Sequence, residues 1–310
     1  MRCVVTGASG FVGRHLLRHL ADHGHGGIAT GRTAPTEMPS GWRAAVRRDV
    51  LCDSAHDCEV VIHLEVKQHV LRPTAADLEA FESVNVAGTR DWLGWAGRNG
   101  VQRFVLVSSI KAASPGEPYG QSKARAEEAV REWVAADPAR TATILRLAPV
   151  YGPGNEANFA AFVRQVIAGR PCLVGRGTVR KSVVSVGNVA AAIEFVATRK
   201  ARCCDVFTVT DPTTLSLHEI ATLIADLAAS PPPRGIPRLV AGLLAPLGDI
   251  LTAITGREMP LTTARLRTLE EESVFTSDHL VAAGFRHPQT TRDGFAEVVD
   301  HATRVPTVRS

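Results

Sequence analysis

The sequence predicts an α/β fold, a doubly wound parallel sheet with a smaller α/β domain toward the C-terminus. Three observations predict it. Short β-branched runs alternate with longer segments of helical period through the first half. A glycine-rich turn joins the first strand to the first helix, and after Gly152 the regular alternation loosens.

The strand candidates in the first half are 3–6, 28–30, 44–47, 60–64, 104–108 and 143–146, each rich in Val, Ile, Thr or Ala. Between them, helical period predicts helices over 10–23, 75–99 and 120–136, the first with Val12, Leu16, Leu17 and Leu20 on one face. Beyond Gly152 the pattern predicts helices near 158–168 and 188–198, and short strands at 172–174, 183–186 and 206–210. Ser216 followed by Glu219 is a capping box, so a helix starts there ahead of Ile220, Leu223, Ile224 and Leu227. Pro231, Pro232 and Pro233 then break the chain, and further helices are expected over 237–255, 263–271 and 291–303. The stretch from Leu239 to Ile254 is the most apolar of this half, but Pro246 and Asp249 interrupt it and it is too short to span a bilayer, so it is expected to be a buried helix.

Composition sets the bounds. With 310 residues, 45% apolar and 21% charged, the chain has material for one large or two interleaved domains and excludes disorder or fibre. Lys and Arg number 35 against 31 Asp and Glu, without a basic run, so neither nucleic acid nor a membrane is an expected partner. The 5% aromatic content argues against base-stacking platforms. Cysteines at 3, 52, 58, 172, 203 and 204 form no CxxC pair, and no metal is expected. His15, His19 and His23 recur every four residues along the first helix, and a solvated face is the expected reading. Cys203 and Cys204 are read as packing ahead of a strand. The start Met1-Arg2-Cys3-Val4-Val5 enters a strand at once and carries no secretory pattern, which together with the cysteine usage points to the cytoplasm.

Thr6-Gly7-Ala8-Ser9-Gly10-Phe11-Val12-Gly13 has the spacing of a dinucleotide loop. The first glycine permits a tight turn, the second lets backbone approach a pyrophosphate, and the third lets the helix pack on the sheet; the helix N-terminus offers free N–H groups to the anion. At the end of the second strand, where NAD sites place an acid, stand Gly31-Arg32-Thr33. A guanidinium there suits a 2′-phosphate, so NADP(H) is preferred with NAD(H) possible. Asp49-Val50 follows the third strand, where a carboxylate can accept from the adenine amino group.

Tyr119-Gly120-Gln121-Ser122-Lys123 is a YxxxK, which on a helix puts phenol and ammonium one turn apart on one face. An ammonium beside a phenol is expected to lower its pKa from about 10 toward neutrality, making it a proton carrier for a carbinol oxygen.

These motifs, with Val61-Ile62-His63-Leu64, Asn85-Val86-Ala87-Gly88-Thr89, Ser108-Ser109, Arg146, Val150-Tyr151-Gly152-Pro153-Gly154, Asn158-Phe159 and Lys181-Ser182-Val183-Val184-Ser185-Val186, resemble the extended short-chain dehydrogenase/reductases, the NAD-dependent epimerase/dehydratase family. Within it the chain looks most like bacterial UDP-sugar 4-epimerases and 4-ketoreductases of surface-polysaccharide assembly, and Ser108-Ser109-Ile110-Lys111 adds to that likeness. The resemblance implies a Rossmann-type dinucleotide-binding domain at 1–152 and 175–210 and a substrate domain at 153–174 and 211–310. It implies that Tyr119 is the acid/base, that Lys123 binds the nicotinamide ribose and tunes Tyr119, and that Ser109 holds the reacting oxygen. Gly7, Ser9, Gly10, Phe11, Val12, Gly13, Arg32, Asp49, Val50, Leu64, Asn85 and Lys123 would line the cofactor. Asn158, Arg180 and Lys181 would meet a nucleotide-sugar substrate, with a solvated strand end as the plain alternative for the two cations. The helices at 75–99 and 120–136 match those that pair in homodimers of the family, and Trp92, Trp95 and Trp133 are expected to face such contact or internal packing.

Three departures bear on this reading. Glu65-Val66 stands where the family usually has Ala-Ala, which is expected to crowd the cofactor. Ser109 and Tyr119 are ten residues apart, shorter than the family's usual interval. Ile110-Lys111 replaces the Asp-Glu by which family dehydratases eliminate water, so a dehydratase is disfavoured. The expected activity is carbinol/ketone chemistry on a nucleotide-linked sugar, by a reductase or an epimerase, with Arg32 tilting toward reduction. The alternative is a catalytically weakened dinucleotide sensor or scaffold.

Overall fold

A computed structural model describes residues 1–304 apart from 53–56, 71, 156–157, 172, 200, 202, 256–258 and 260, and leaves out the side chains of 158 and 253. The first half runs β1 (Arg2–Thr6), α1 (Phe11–Asp22), β2 (Gly26–Gly31), β3 (Trp42–Val46), α2 (Arg47–Cys52), β4 (Val60–His63), α3 (Ala75–Ala80), a π-helical stretch (Phe81–Ala87), α4 (Gly88–Arg98), β5 (Arg103–Ser109), a 3-10 turn (Ile110–Ala113), α5 (Pro118–Ala135), β6 (Thr141–Leu147) and β7 (Val150–Tyr151). The second half continues with α6 (Asn158–Ile167), β8 (Leu173–Val174), β9 (Arg180–Lys181), β10 (Val184–Ser185), α7 (Val186–Thr198), β11 (Cys204–Val209), β12 (Leu215–Ser216), α8 (Leu217–Leu227), β13 (Gly235–Ile236), α9 (Arg238–Thr255), α10 (Thr263–Glu270), α11 (Asp278–Ala282) and α12 (Thr291–Arg304).

Packing divides the chain into two units: 1–150 with 186–210 and 276–288, and 151–185 with 211–275 and 289–310. Residues 175–185 thus lie with the second unit, and 276–288 with the first.

In the first unit a seven-stranded sheet has the order β11-β6-β5-β4-β1-β2-β3, and its paired neighbours are parallel. The strand order reverses between β1 and β4, so the crevice at their carboxyl ends is the natural ligand position. Its strands are buried, as a sheet covered on both faces requires: Val4, Val61, Ile62, Leu106 and Ile144 have no exposed surface. Trp92, Trp95 and Trp133 fill the core beside Phe104 and are 0%, 0% and 8% exposed, so they pack internally and offer nothing to a partner.

The helix expected over 75–99 is helical throughout but contains the π-helical stretch, which turns Asn85 into the interior. The solvated face expected for the histidines of α1 is not what forms. His19, His23 and His25 donate to one carboxylate, Glu194 of α7, at 2.8, 2.9 and 2.9 Å, because α7 lies along α1. Burial raises the Glu194 carboxyl, and the hydrogen bonds of His19 and His25 outweigh it, leaving a net lowering. His15 instead sets its ring edge-on to Phe11. Cys204 is the first residue of β11, and Cys203 ahead of it is exposed.

The second unit packs Tyr151, Val163, Ile220, Ile224, Phe295 and Val299 into its own core. The capping box forms: the Ser216 hydroxyl accepts from the Glu219 N–H, and Glu219 reaches back to the Ser216 N–H. The expected strand at 172–174 is present as Leu173–Val174, with Cys172 outside the described residues. The expectation of a buried helix at Leu239–Ile254 is overturned. α9 packs through Ala241, Ala245 and Gly248, whereas Leu239, Leu243 and Ile254 are 84%, 76% and 75% exposed. Gly248 lets the helix backbone approach the Leu261 carbonyl just ahead of α10, which α9 contacts, and the large residues face out.

Candidate active site

Gly7 follows β1 with φ +65°, a conformation that penalises any side chain, and a Cβ there would lie 2.9 Å from the backbone of Leu64 and Glu65. The turn after β1 therefore sits directly on the turn after β4. The Ala8 N–H donates to the Thr30 carbonyl of β2 and the Gly10 N–H to the Gly7 carbonyl, so the loop is held by its own backbone. α1 then begins at Phe11 with no side-chain cap on Gly10 and no acid in its first turn. Its first N–H groups and its positive dipole end are left for an anion, and the bare glycine surface leaves room for one. These residues fit the pyrophosphate of a dinucleotide. Ser9 is exposed at this turn, and Phe11 and Val12 are half-buried.

Arg32, just beyond β2, is exposed and no described side chain engages it. Asp49 is also exposed, in the first turn of α2, while the Val50 side chain is buried in the core at 2% exposure. Glu65 does not crowd the loop as a free carboxylate. Its Oε2 accepts from Arg47 Nε at 3.0 Å and from the Trp92 indole at 3.1 Å.

Beneath the two turns runs a column of buried polar groups that sequence reasoning did not single out. The Thr6 hydroxyl meets His63 Nδ1 at 2.8 Å and accepts from the Leu64 and Glu65 N–H groups at 3.2 and 3.3 Å. On its far side His63 Nε2 meets the Thr89 hydroxyl at 3.2 Å, and Thr89 donates to the Asn85 carbonyl at 2.7 Å. Asn85, expected at the cofactor, is committed to protein: it accepts from the Lys67 N–H at 2.7 Å, and its amide donates to the Lys67 carbonyl and to Ser122 Oγ. Ser122 in turn donates to the Tyr119 carbonyl at 2.8 Å. Burial, with Lys123 and Arg47 nearby, lowers the His63 pKa to about 3, so its imidazole is neutral.

The ten-residue interval between Ser109 and Tyr119 does not part them. The 3-10 turn uses up the chain, Pro118 sets the first turn of α5, and Gly120 packs so closely on the Lys111 carbonyl that a Cβ would lie 2.7 Å from it. Ser109 at the end of β5 therefore stands near enough to Tyr119 for its side chain to favour the phenolate. Lys111 bonds Glu117 at 2.7 Å and His69 bonds it at 2.9 Å, and the rings of His69 and Phe81 set their edges toward Tyr119.

Lys123 is 2% exposed and donates to the Val107 carbonyl of β5 at 2.9 Å. Burial lowers its pKa to about 8, against the raising influence of Glu127 one turn on. Glu127 is itself buried and gathers Ser108 at 2.7 Å, Arg146 through Nε at 2.9 Å and Nη2 at 2.6 Å, and Arg131 at 3.0 Å. Burial raises its carboxyl, but these bonds more than offset that and leave it ionised. The expected lowering of the Tyr119 pKa is reversed. Burial raises the phenol, and the neighbouring Ser109 hydroxyl opposes this only in part.

Of the residues expected at the substrate, Asn158 begins α6 and its side chain lies outside the described set. Arg180 is exposed and donates to the Thr214 carbonyl at 2.8 Å. Lys181 is neither a free cation nor a solvated strand end. It donates to the Thr268 carbonyl at 2.8 Å and to the Glu271 carbonyl, closing the C-terminal end of α10. Tyr151 is a core residue whose hydroxyl donates to Asp211, so of the two tyrosines only Tyr119 stands beside Ser109.

A glycine loop at a sheet switch point, with a serine, a tyrosine and a lysine gathered around β5 of the same sheet, defines a dinucleotide-dependent enzyme of the short-chain dehydrogenase/reductase kind. The sequence matches the NAD dependent epimerase/dehydratase family over residues 3–208, and the chain belongs to that family. It is 27% identical to the N-acetyl-alpha-D-glucosaminyl-diphospho-ditrans,octacis-undecaprenol 4-epimerase of Escherichia coli O157:H7, covering 96% of this chain and 94% of that protein. It is 29% identical to the UDP-glucose 4-epimerase of Vibrio cholerae, covering 95% and 93%. In fold it resembles MoeE5 in complex with UDP-glucuronic acid and NAD, with a TM-score of 0.74 at 22% identity over 98% of this chain and 99% of that one.

The neutral His63 makes a pH prediction. Its folded pKa lies below the unfolded value of 6.5, so the unfolded chain takes up a proton that the folded one refuses. Its contribution is complete above pH 6.5 and is lost progressively as pH falls toward 3. Urea unfolding between about pH 6.5 and 5 should show falling stability in the wild type and a flatter profile in His63→Gln, which keeps a donor and an acceptor without titrating. Parallel profiles would show that His63 is not the titrating group.

Proposed function

We propose that this protein epimerises C4 of a diphosphate-linked hexose, taking the carbinol to a ketone and returning the hydride to the opposite face. The placing of Ser109 beside Tyr119, with Lys123 one turn along α5, carries this reading. Both full-length relatives named above are 4-epimerases, one of a nucleotide-linked and one of a polyprenol-linked sugar diphosphate. The proposal accordingly takes the diphosphate-linked sugar as the shared substrate chemistry.

The cofactor we propose is NAD. The solved relative's NAD gives no support to the NADP(H) preference expected from Arg32, or to the tilt toward reduction that rested on it. Gly7, Ser9, Gly10, Phe11, Val12 and Gly13 would hold its pyrophosphate end, with Leu64 at the neighbouring turn and Asp49, Val50 and Arg32 toward the adenosine. Asn85 acts at one remove, by fixing the chain at Lys67 and the start of α5 through Ser122. When bound, the nicotinamide supplies the hydride acceptor and donor.

The chain's own groups manage the proton. Ser109 would orient the reacting oxygen and Tyr119 would take its proton during oxidation and return it during reduction. Lys123 spends one N–H on Val107 and has two left for the ribose and the phenol, so its charge can oppose the burial that keeps Tyr119 protonated. Asn158 and Arg180 remain the proposed substrate contacts of the second unit; Lys181, spent on α10, is not one.

We also propose that α4 and α5 pair with their copies in a homodimer. Arg90 of α4, Arg125 and Glu128 of α5 and Glu82 of the adjoining π-helical stretch, and no tryptophan, would form its surface. Light scattering at micromolar protein should give twice 33.1 kDa, and a monomer would end this part of the proposal.

Tyr119→Phe removes the proton carrier with little change of shape. Turnover on UDP-glucose or another accepted diphosphate-linked hexose should fall roughly 100-fold or more, while NAD affinity measured by calorimetry stays within about twofold. Lys123→Ala should injure both. Equal turnover by wild type and Tyr119→Phe would contradict the assignment.

A further inference from the structure

α9 is built inside out for a helix in water. Its packing face is the small-residue row Ala241, Ala245 and Gly248, against α10 and the chain leading to it. At 100° per residue, the opposite face is an arc of about 120° holding Leu239, Leu243, Leu247, Ile250, Leu251 and Ile254, each 49% to 84% exposed. Of the twelve large apolar residues exposed among the described residues, eight lie on this one helix. Leucine on a water-facing surface gains nothing from folding, so a contiguous patch of this kind marks a contact.

We propose that α9 lies in the surface of a phospholipid bilayer, with this arc in the acyl boundary, and that the protein's substrate is therefore a sugar diphosphate carried on a membrane lipid. This rests on the diphosphate-linked sugar reading above. Three features select lipid as the occupant. The arc is entirely aliphatic, without the aromatic or arginine anchors and the polar groups that give a protein interface its energy and register. Charge is arranged for a headgroup layer: Asp249, the helix's acid, is turned to the Thr263 N–H and hydroxyl of α10, while exposed Arg234 and Arg238 stand at the helix's start. Arg238 meets Glu270 but remains 75% exposed, free to reach a phosphate as well. The helix has 18 residues, about 27 Å at 1.5 Å each, and no helix of the described residues is long and apolar enough to cross a membrane, so it would lie flat. Overall composition conceals this surface because the chain has no basic run; the signal is the burial pattern of one helix.

The test is flotation of the full-length protein with phosphatidylglycerol–phosphatidylethanolamine vesicles at about 0.1 M salt. A variant with Leu239→Gln, Leu243→Gln, Ile250→Gln and Ile254→Gln is run alongside. All four side chains are exposed, so the melting midpoint should be unchanged. Wild type should float, and the variant's partitioning should fall at least about 10-fold. On a polyprenyl diphosphate-linked N-acetylhexosamine in the same vesicles, its rate should fall in parallel, while its turnover of a UDP-hexose matches wild type. Wild type that stays in the aqueous phase overturns the proposal, as does a self-association that the four substitutions abolish without any vesicle binding, since the face would then belong to a second copy. Protein that floats yet turns over neither substrate would instead sink the epimerase reading and leave the membrane surface standing.

Discussion

The buried imidazole of His63 is the joint on which the first unit depends. It stands at the end of β4, where the sheet order reverses, and is bonded on one side to Thr6 of β1 and on the other to Thr89 of α4. Each of these three polar groups is at most 1% exposed, so each must be matched or the unit loses the desolvation cost of an unpaired group. The pairing locks the ends of β1 and β4 at the separation at which a residue larger than Gly7 would collide. The same chain of bonds passes through Asn85 and Ser122 to the first turn of α5, and so sets where Tyr119 stands. The glycine loop and the tyrosine are two ends of one hydrogen-bonded structure.

A second buried assembly sets the charge. Glu127, bound by Arg146, Arg131 and Ser108, is an ionised carboxylate under α5, one turn from Lys123. It supports the ammonium, while burial brings the lysine to about 8. Tyr119 carries the opposite bias, toward the protonated form. A group that must alternately accept and donate one proton is served by such opposed influences, because neither state is held far below the other.

Much of this was legible in the sequence, and the failures have physical causes. Strand-like runs and the glycine spacing marked β1, α1, β2 and the sheet because local period and turn chemistry are written in neighbouring residues. Ser109, Tyr119 and Lys123 were legible as a motif, and the structure brings them together despite the shortened interval. His63 and Glu127 were not identified as site supports because their role lies chiefly in partners 19 to 57 residues away. Glu65 read as an obstruction for the same reason: Arg47 and Trp92, which hold it, are distant in sequence. The histidines of α1 read as solvated because nothing local announces Glu194. α9 read as buried because hydropathy reports how apolar a segment is and not which of its sides the fold covers. Its small residues at 241, 245 and 248 were the available signal, since that row alone permits close backbone packing.

The central claim is that one carbon loses and regains a hydride in this site while Tyr119 carries the proton. Its most direct test is isotopic: a diphosphate-linked hexose carrying deuterium at C4, converted by the NAD-loaded enzyme in ordinary water and read by NMR. Retention of the deuterium at C4 of the inverted product is the predicted result, because the hydride travels to the cofactor and back without meeting solvent. Inversion with loss of the deuterium to water would contradict the account, since C4 would then have been deprotonated rather than oxidised.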